Sequence, residues 1–341
     1  MSYNNKIQEL KNVVTNSKNI VIIPHHNPDG DAIGAALSLK ILFERMKKNS
    51  NVVSPSKYPE FLQWLPDNDN VLIYPYKKNT IIKTLENADL IFYVDFNSLK
   101  RLEESFETEF LKINRKAKTV LIDHHPDSQG IADVCFSDTS VSSTSELVYK
   151  IIEDANLQNF VNTQIAECLF TGIITDTGLL NYNSSKPQTF EIVSKLLAYN
   201  IDKQKIIDNI YNNFSANRMR LMGYCLNEKM EIFEKYNSAL IWLNVDELQK
   251  YNFKAGDAEG FVNLPLSIKN INFSAIFIEK KDFIKASFRS KGDFPANIFA
   301  KKYFNGGGHL NAAGGKCFLS LSESIEKFRN SLIEFYANNF K

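Results

Sequence analysis

What this chain lacks narrows its class first. It has almost no net charge: 40 lysines and arginines stand against 39 aspartates and glutamates, giving +1. A strongly basic face, which a long nucleic-acid duplex requires, is therefore not expected. A small anionic ligand held by a local site stays compatible with this balance. No uninterrupted apolar run is long enough to cross a bilayer. The N-terminus, MSYNNKIQEL, lacks the basic start and apolar run of a secretory signal. These absences predict a cytoplasmic protein with no membrane partner. Cysteine is scarce, and Cys135, Cys168, Cys225 and Cys317 form no C-x-x-C pair. Free buried thiols in a reducing compartment are the plain reading. No internal repeat or low-complexity tract is evident.

Histidine is scarce as well, and none is spare. The five occur as His25 and His26 in H-H-N-P-D-G-D, His124 and His125 in D-H-H-P, and His309 in G-G-G-H. Asp29, Asp31 and Asp123 crowd the same motifs. Imidazole with carboxylate is the ligand mixture of Mn²⁺, Fe²⁺ or Zn²⁺. The distribution points to a metal-dependent hydrolase.

The hydrophobic fraction is 44% and the charged fraction 23%, ordinary for a globular protein. At 341 residues two domains are expected. The first half alternates strand and helix patterns. Ile20–Pro24, Val71–Tyr74, Ala88–Val94 and Thr119–Ile122 read as strands, and Asp31 to about Met46 as a helix whose Gly34, Ala35 and Ala36 permit close packing on the sheet. This predicts an α/β domain with a doubly wound, mainly parallel sheet over residues 1–195. A helical connector over 196–235 follows. A smaller α+β domain with a mixed sheet is expected over 236–341, with strands at Ser238–Leu243, Asn272–Glu279 and Phe283–Arg289. Ser143 to Glu146 fits a capping box before a helix and is given no chemistry.

The polar motifs fall at strand ends. H-H-N-P-D-G-D follows IVIIP, Asp95 ends ADLIFYV, and D-H-H ends TVLI. In open α/β sheets ligands bind at the carboxyl ends of strands. Each cluster also has a plain structural explanation. Asp29 and Asp31 could cap the next helix, Asp95 could simply end a strand, and a glycine triplet could be a turn. Asp123, His124 and His125 are harder to dismiss, because adjacent ionisable groups after a buried strand are costly unless paired or metal-bound.

These residues resemble the DHH phosphoesterases, specifically the nanoRNase/pAp-phosphatase branch with a DHH-associated C-terminal domain. The matching motifs are H-x-N-P-D-G-D at 25–31, Asp95, D-H-H at 123–125, T-D-T-G at 175–178, S-F-R-S-K at 287–291 and G-G-G-H-L-N-A-A-G at 306–314. The resemblance implies a binuclear site for two divalent cations, Mn²⁺ first, with Mg²⁺ or another divalent metal next. His25 and Asp29 would hold one ion, Asp31, His124 and Asp176 the other, and Asp95 would bridge them. Asp123 would orient the cluster and His125 would face the scissile phosphate. Arg289, Gly306, Gly307, Gly308 and His309 would hold the far end of a short single-stranded RNA or nucleotide. Ala35 stands where the family commonly has Ser, and His26 occupies a variable position.

The implied activity is hydrolysis of very short oligoribonucleotides to mononucleotides, with dephosphorylation of 3′-phosphoadenosine 5′-phosphate alongside it. Linear or cyclic dinucleotides are rival substrates. Polyphosphate and a non-catalytic nucleotide sensor rank lower, since a sensor has no need for the full ligand set. A homodimer is compatible with the sequence.

Overall fold

The computed structural model describes residues 2–113, 116–128, 130–254 and 256–339. The chain forms two compact units, Met1–Asn213 and Phe214–Lys341.

The first unit is built on six strands: β1 (Asn19–Pro24), β2 (Asn49–Ser54), β3 (Leu72–Ile73), β4 (Leu90–Val94), β5 (Lys118–Asp123) and β6 (Val134–Ser137). They are parallel throughout, in the order β3-β2-β1-β4-β5-β6. Every residue of β4 is buried, as are Ile20–Pro24. Burial on both faces is why these strands read as unbroken apolar runs. The helices are α1 (Tyr3–Asn16), α2 (Gly30–Arg45), α3 (Lys78–Glu86), α4 (Glu104–Lys112), α5 (Thr144–Asp154), α6 (Thr163–Asp176), α7 (Pro187–Leu197) and α8 (Lys203–Tyr211). Ile20, Ile22 and Phe92 face a core shared with α1, α2, α5 and α6, while Val21, Ile23 and Tyr93 face α3 and α4. The sheet is therefore doubly wound, as expected. Its strand order reverses between β1 and β4, and open sheets of this kind bind ligands at that point, beyond the carboxyl ends of the strands.

The second unit holds α9 (Ala216–Glu228), β7 (Met230–Phe233), β8 (Ser238–Leu243), α10 (Val245–Lys250), β9 (Phe273–Glu279), β10 (Ile284–Ser290), α11 (Ala296–Tyr303), β11 (Gly307–His309), β12 (Ala312–Cys317) and α12 (Leu321–Asn339). The sheet order is β11-β12-β10-β9-β8-β7, antiparallel except for β8 with β9. It is the mixed sheet the sequence predicts. One face packs on α11 and α12 through an aromatic core that includes Phe273, Phe277, Phe288, Phe299 and Phe328. On the other face Ile241, Ile276 and Ile278 meet α9 and α10. Within the stretch 196–235 lie α8, α9 and the edge strand β7.

Candidate metal centre

Three strand ends and one helix end supply the polar side chains. β1 delivers His25, whose Nδ1 lies 2.8 Å from the carbonyl of His26. A carbonyl only accepts, so Nδ1–H donates, and when the ring is neutral Nε2 carries the lone pair. That Nε2 is 3.4 Å from Asp95 Oδ2 and 4.0 Å from Asp29 Oδ1. Asp29 is also the N-cap of α2, accepting the N–H groups of Asp31 and Ala32 at 3.1 Å each. The capping role and a place in the cluster coexist in one residue.

Asp95 follows β4 with φ of 64°, a left-handed conformation uncommon for a non-glycine residue. Its Oδ1 lies 3.6 Å from both His124 Nε2 and His125 Nδ1. β5 ends in Asp123, whose Oδ1 accepts from His125 Nδ1 at 2.8 Å. The other oxygen, Oδ2, is buried with no hydrogen-bond partner among the described residues. α6 ends in Asp176, with Oδ2 3.4 Å from His124 Nε2. Asp31 joins that pair from the first turn of α2.

Within the first unit the side chains thus gather in three groups, His25, Asp29 and Asp95; Asp31, His124 and Asp176; and Asp95, Asp123 and His125, of which the first and third share Asp95. Within each group the possible ligand atoms lie within 4.8 Å of one another. The separations of 3.4–4.0 Å involving His25 and His124 are longer than good hydrogen bonds. They approach the spacing of neighbouring ligands around one ion, roughly 3 Å for octahedral bonds of about 2.1 Å. Asp123, Asp31 and Asp95 are only 0%, 1% and 2% exposed, so three carboxylates share a dry volume. Burial, then the charges of Asp95 and Asp176, push the Asp31 carboxyl well above its ordinary range. Burial also acts to raise Asp95, but its contact with His25 and the three imidazole charges hold it low. Burial opposes protonation of His124, yet Asp176, Asp95 and Asp31 overcome it and lift the ring to about 9. Concentrated carboxylates, adjoining imidazoles and the orphaned Asp123 oxygen fit a divalent cation.

The Ser143–Glu146 segment, assigned only a capping role from sequence, is part of this site. Thr144 Oγ1 donates to Asp95 Oδ1 at 2.8 Å. The backbone N–H groups of Thr144 and Ser145 donate to the two oxygens of Asp31 at 2.6 and 2.8 Å. The N-terminus of α5 therefore holds two carboxylates of the cluster, helped by its dipole. The expected capping box is only half present. Ser143 accepts from Glu146 N, but Glu146 Oε2 turns to Ser142 and to Thr189 Oγ1 instead.

Glycines set how closely these elements approach. The thin start of α2 serves α6 more than the sheet: a Cβ on Gly34 would lie 2.5 Å from the Cys168 carbonyl oxygen. On Gly172 a Cβ would fall 1.9 Å from Ser145 Oγ and 2.8 Å from Asp31 Oδ1. Helix-to-helix spacing and carboxylate spacing are thus set by the same small residues.

In the second unit Arg289 of β10 pairs with Ala312 of β12, which pairs with His309 of β11. Arg289 Nη1 donates to its neighbour's carbonyl, Phe288 O, at 3.0 Å. The glycine triplet leads into a short hairpin strand. Gly306 and Gly308 are required by close strand approach, since a Cβ would lie 2.0 Å from Gly314 O and 2.3 Å from Ala312 O respectively. Gly307 faces open space.

Carboxylates and imidazoles converging at the switch point of a parallel sheet define a metallohydrolase of the α/β class. The DHH family N-terminal domain matches residues 19–173 and the DHHA1 domain matches residues 238–338. This chain belongs to the DHH family. It is 27% identical to the bifunctional oligoribonuclease and PAP phosphatase NrnA of Bacillus subtilis, over 91% of this chain and 93% of that one. It is 31% identical to the probable bifunctional oligoribonuclease and PAP phosphatase NrnA of Streptococcus mutans, again over 91% and 93%. An exopolyphosphatase-related protein from Bacteroides fragilis shares the fold with a TM-score of 0.93, at 38% identity and 98% coverage of both chains.

Proposed function

We propose that this chain hydrolyses short single-stranded oligoribonucleotides to mononucleotides and dephosphorylates 3′-phosphoadenosine 5′-phosphate, using two divalent cations, with Mn²⁺ preferred. The observation that carries the reading is the sharing of Asp95: one of its oxygens faces His25 and the other faces His124. His25, Asp29 and Asp95 would hold one ion, and Asp31, His124, Asp176 and Asp95 the other. Likeness to the two NrnA proteins over nine-tenths of the chain supports the substrate class.

When bound, such cations lower the pKa of water and polarise phosphoryl oxygens. The chain's own groups do the rest. Asp123 fixes the His125 ring through Nδ1, and the ring would offset charge on the phosphoryl group or pass a proton to the leaving oxygen. Arg289, His309 and the Gly306–Gly308 backbone grip the non-scissile end.

The test is one panel with Mn²⁺: RNA dinucleotide and pentanucleotide, 3′-phosphoadenosine 5′-phosphate, a cyclic dinucleotide and polyphosphate. Mononucleotides from the short RNAs and AMP from the phosphoadenosine are expected to dominate. Hydrolysis confined to polyphosphate or to the cyclic dinucleotide rejects the reading.

A further inference from the structure

The sheet face that presents Arg289 carries more than that residue. Side chains alternate along a strand, so Ala286 and Phe288 enter the aromatic core while Lys285, Ser287 and Arg289 occupy the opposite face. Directly paired residues share a face, and here Arg289 opposes Ala312, Ser287 opposes Gly314 and Lys285 opposes Lys316. β11 extends two of these rows with His309 and Gly307. The α9 and α10 side of the core covers this face at β8 and β9, while Lys285, Gly307, Gly314 and Lys316 remain exposed.

Three features of this face have no explanation in folding. Lys285 and Lys316 are like charges placed directly opposite each other, an arrangement that disfavours strand pairing. Nearby Lys280 is held below its ordinary value by burial and then by the charge of Lys285, and the acid in that turn is Asp282. Between the two basic rows lies a bare shelf. A Cβ on Gly307 would meet nothing within 4 Å, and one on Gly314 only the Ala286 carbonyl oxygen at 3.7 Å. Packing requires glycine at neither position. Finally, Phe283 and Phe318 sit beyond the lysine row with ring centroids 6.4 Å apart, and Phe318 is 69% exposed. Lys316 Nζ lies 5.0 Å from the Phe283 ring centroid.

We propose that this face is a track for single-stranded RNA, in which Lys285 and Lys316 take a backbone phosphate beyond the one at Arg289 and His309, and Phe283 with Phe318 stack the base that follows. The proposal rests on the reading of Arg289 and His309 given above. Ammonium groups alternating with open ring faces are the contacts that single strands use, since every base has a π-face. Lys285 lies four residue steps along β10 from Arg289, about 13 Å. A dinucleotide anchored at Arg289 stops short of the lysine row, and a longer oligomer reaches it.

The experiment measures binding of a dinucleotide and a pentanucleotide to the full chain in EDTA, which stops turnover, by competition against a labelled pentanucleotide. Lys285→Glu is expected to weaken the pentanucleotide at least fivefold and leave the dinucleotide within twofold. It should also raise the Tm, because a carboxylate opposite Lys316 replaces repulsion with attraction. Phe318→Ala should weaken the pentanucleotide alone, and Arg289→Ala should weaken both lengths. Unchanged pentanucleotide binding by Lys285→Glu, with Arg289→Ala still weakening both, overturns the track. Arg289→Ala without effect on either length overturns the Arg289 reading instead. Loss in Lys285→Glu of binding to phosphatidylglycerol vesicles, with RNA binding intact, would assign the face to an anionic membrane and reject the RNA track.

Discussion

Thr144 Oγ1 donates to Asp95 Oδ1 at 2.8 Å, while the other oxygen of that carboxylate lies 3.4 Å from His25 Nε2. The hydroxyl therefore fixes the rotation of the one carboxylate that faces both donor groups. The same residue's backbone N–H holds Asp31 at 2.6 Å. Removing the hydroxyl tests the first contact without disturbing the second.

Thr144→Val keeps the side-chain shape and loses the donor. Mn²⁺ affinity is expected to fall about 10- to 100-fold, the usual cost of losing a group that orients a ligand. Thr144→Ser should restore it. Titration calorimetry on the metal-free protein reads this directly, and unchanged affinity in Thr144→Val would show the hydroxyl to be dispensable.

Asp95→Ala should damage turnover far more than substrate binding. Loss of the shared carboxylate disorders both donor groups, so kcat should drop at least about a hundredfold, equivalent to about 2.7 kcal/mol of barrier. Binding of a dinucleotide should change little if Arg289 and His309 supply the grip. A purified variant with two bound metals and near-wild-type rates would exclude the shared role.

Gly172→Ala places a methyl 1.9 Å from Ser145 Oγ and 2.8 Å from Asp31 Oδ1. We expect destabilisation of about 1–3 kcal/mol from overpacking, together with weaker metal binding. Gly223→Ala, in α9 with nothing within 4 Å of the new methyl, should be neutral or stabilising by up to about 1 kcal/mol. Thermal melts of the two variants side by side make the comparison, and equal Tm values would contradict it.

Metal-free protein should lose stability as pH rises from about 6.5 to about 9. Burial opposes the charge on His124, but its carboxylate neighbours lift the folded pKa to about 9. Its contribution is therefore fully present below the unfolded value and is lost on passing through the folded one. Asp31, raised by burial and by its neighbours, adds a penalty in the same direction once ionised. Asp95, shifted low, is ionised in both states throughout this window and adds no slope. A decline on the order of 1–3 kcal/mol is expected in EDTA. Saturating Mn²⁺ should reverse the trend, because ligation needs the imidazole lone pair. Melting curves at several pH values with and without metal decide it, and a flat profile in EDTA would refute the assignment.

The central strands were legible because the middles of β1, β4 and β5 are buried on both faces, so Ile20–Ile23, Leu90–Val94 and Val120–Ile122 are unbroken apolar runs. Two others of the same sheet were not. β2 begins Asn-Ser-Asn before Val52 and Val53, and β6 has four residues, too few to show a period. The strand-end histidines and aspartates could be read as a site because sheet topology sends strand ends to one edge. Thr144 and Ser145 could not, since a helix cap and a carboxylate cradle use the same hydroxyl-rich sequence and the same N–H groups. Only the fold brings Asp31, 113 residues earlier, to those groups. The opposition of Lys285 and Lys316 is equally hidden, because it depends on a pairing register that neither strand records alone.

The groups of the first unit that could hold a cation are drawn from residues as distant as His25 and Asp176, through three central strands and the ends of two helices that meet at Gly34 and Gly172. No short contiguous fragment of the chain contains the site, and its buried carboxylates, Asp31, Asp95 and Asp123, need a counter-charge in the folded interior. A bound cation can thus recognise only the finished sheet, and each binding event draws the equilibrium toward that state by mass action. Chelation then does more than silence chemistry. It removes the charge that offsets the clustered carboxylates, so susceptibility to proteases should track metal occupancy as closely as activity does.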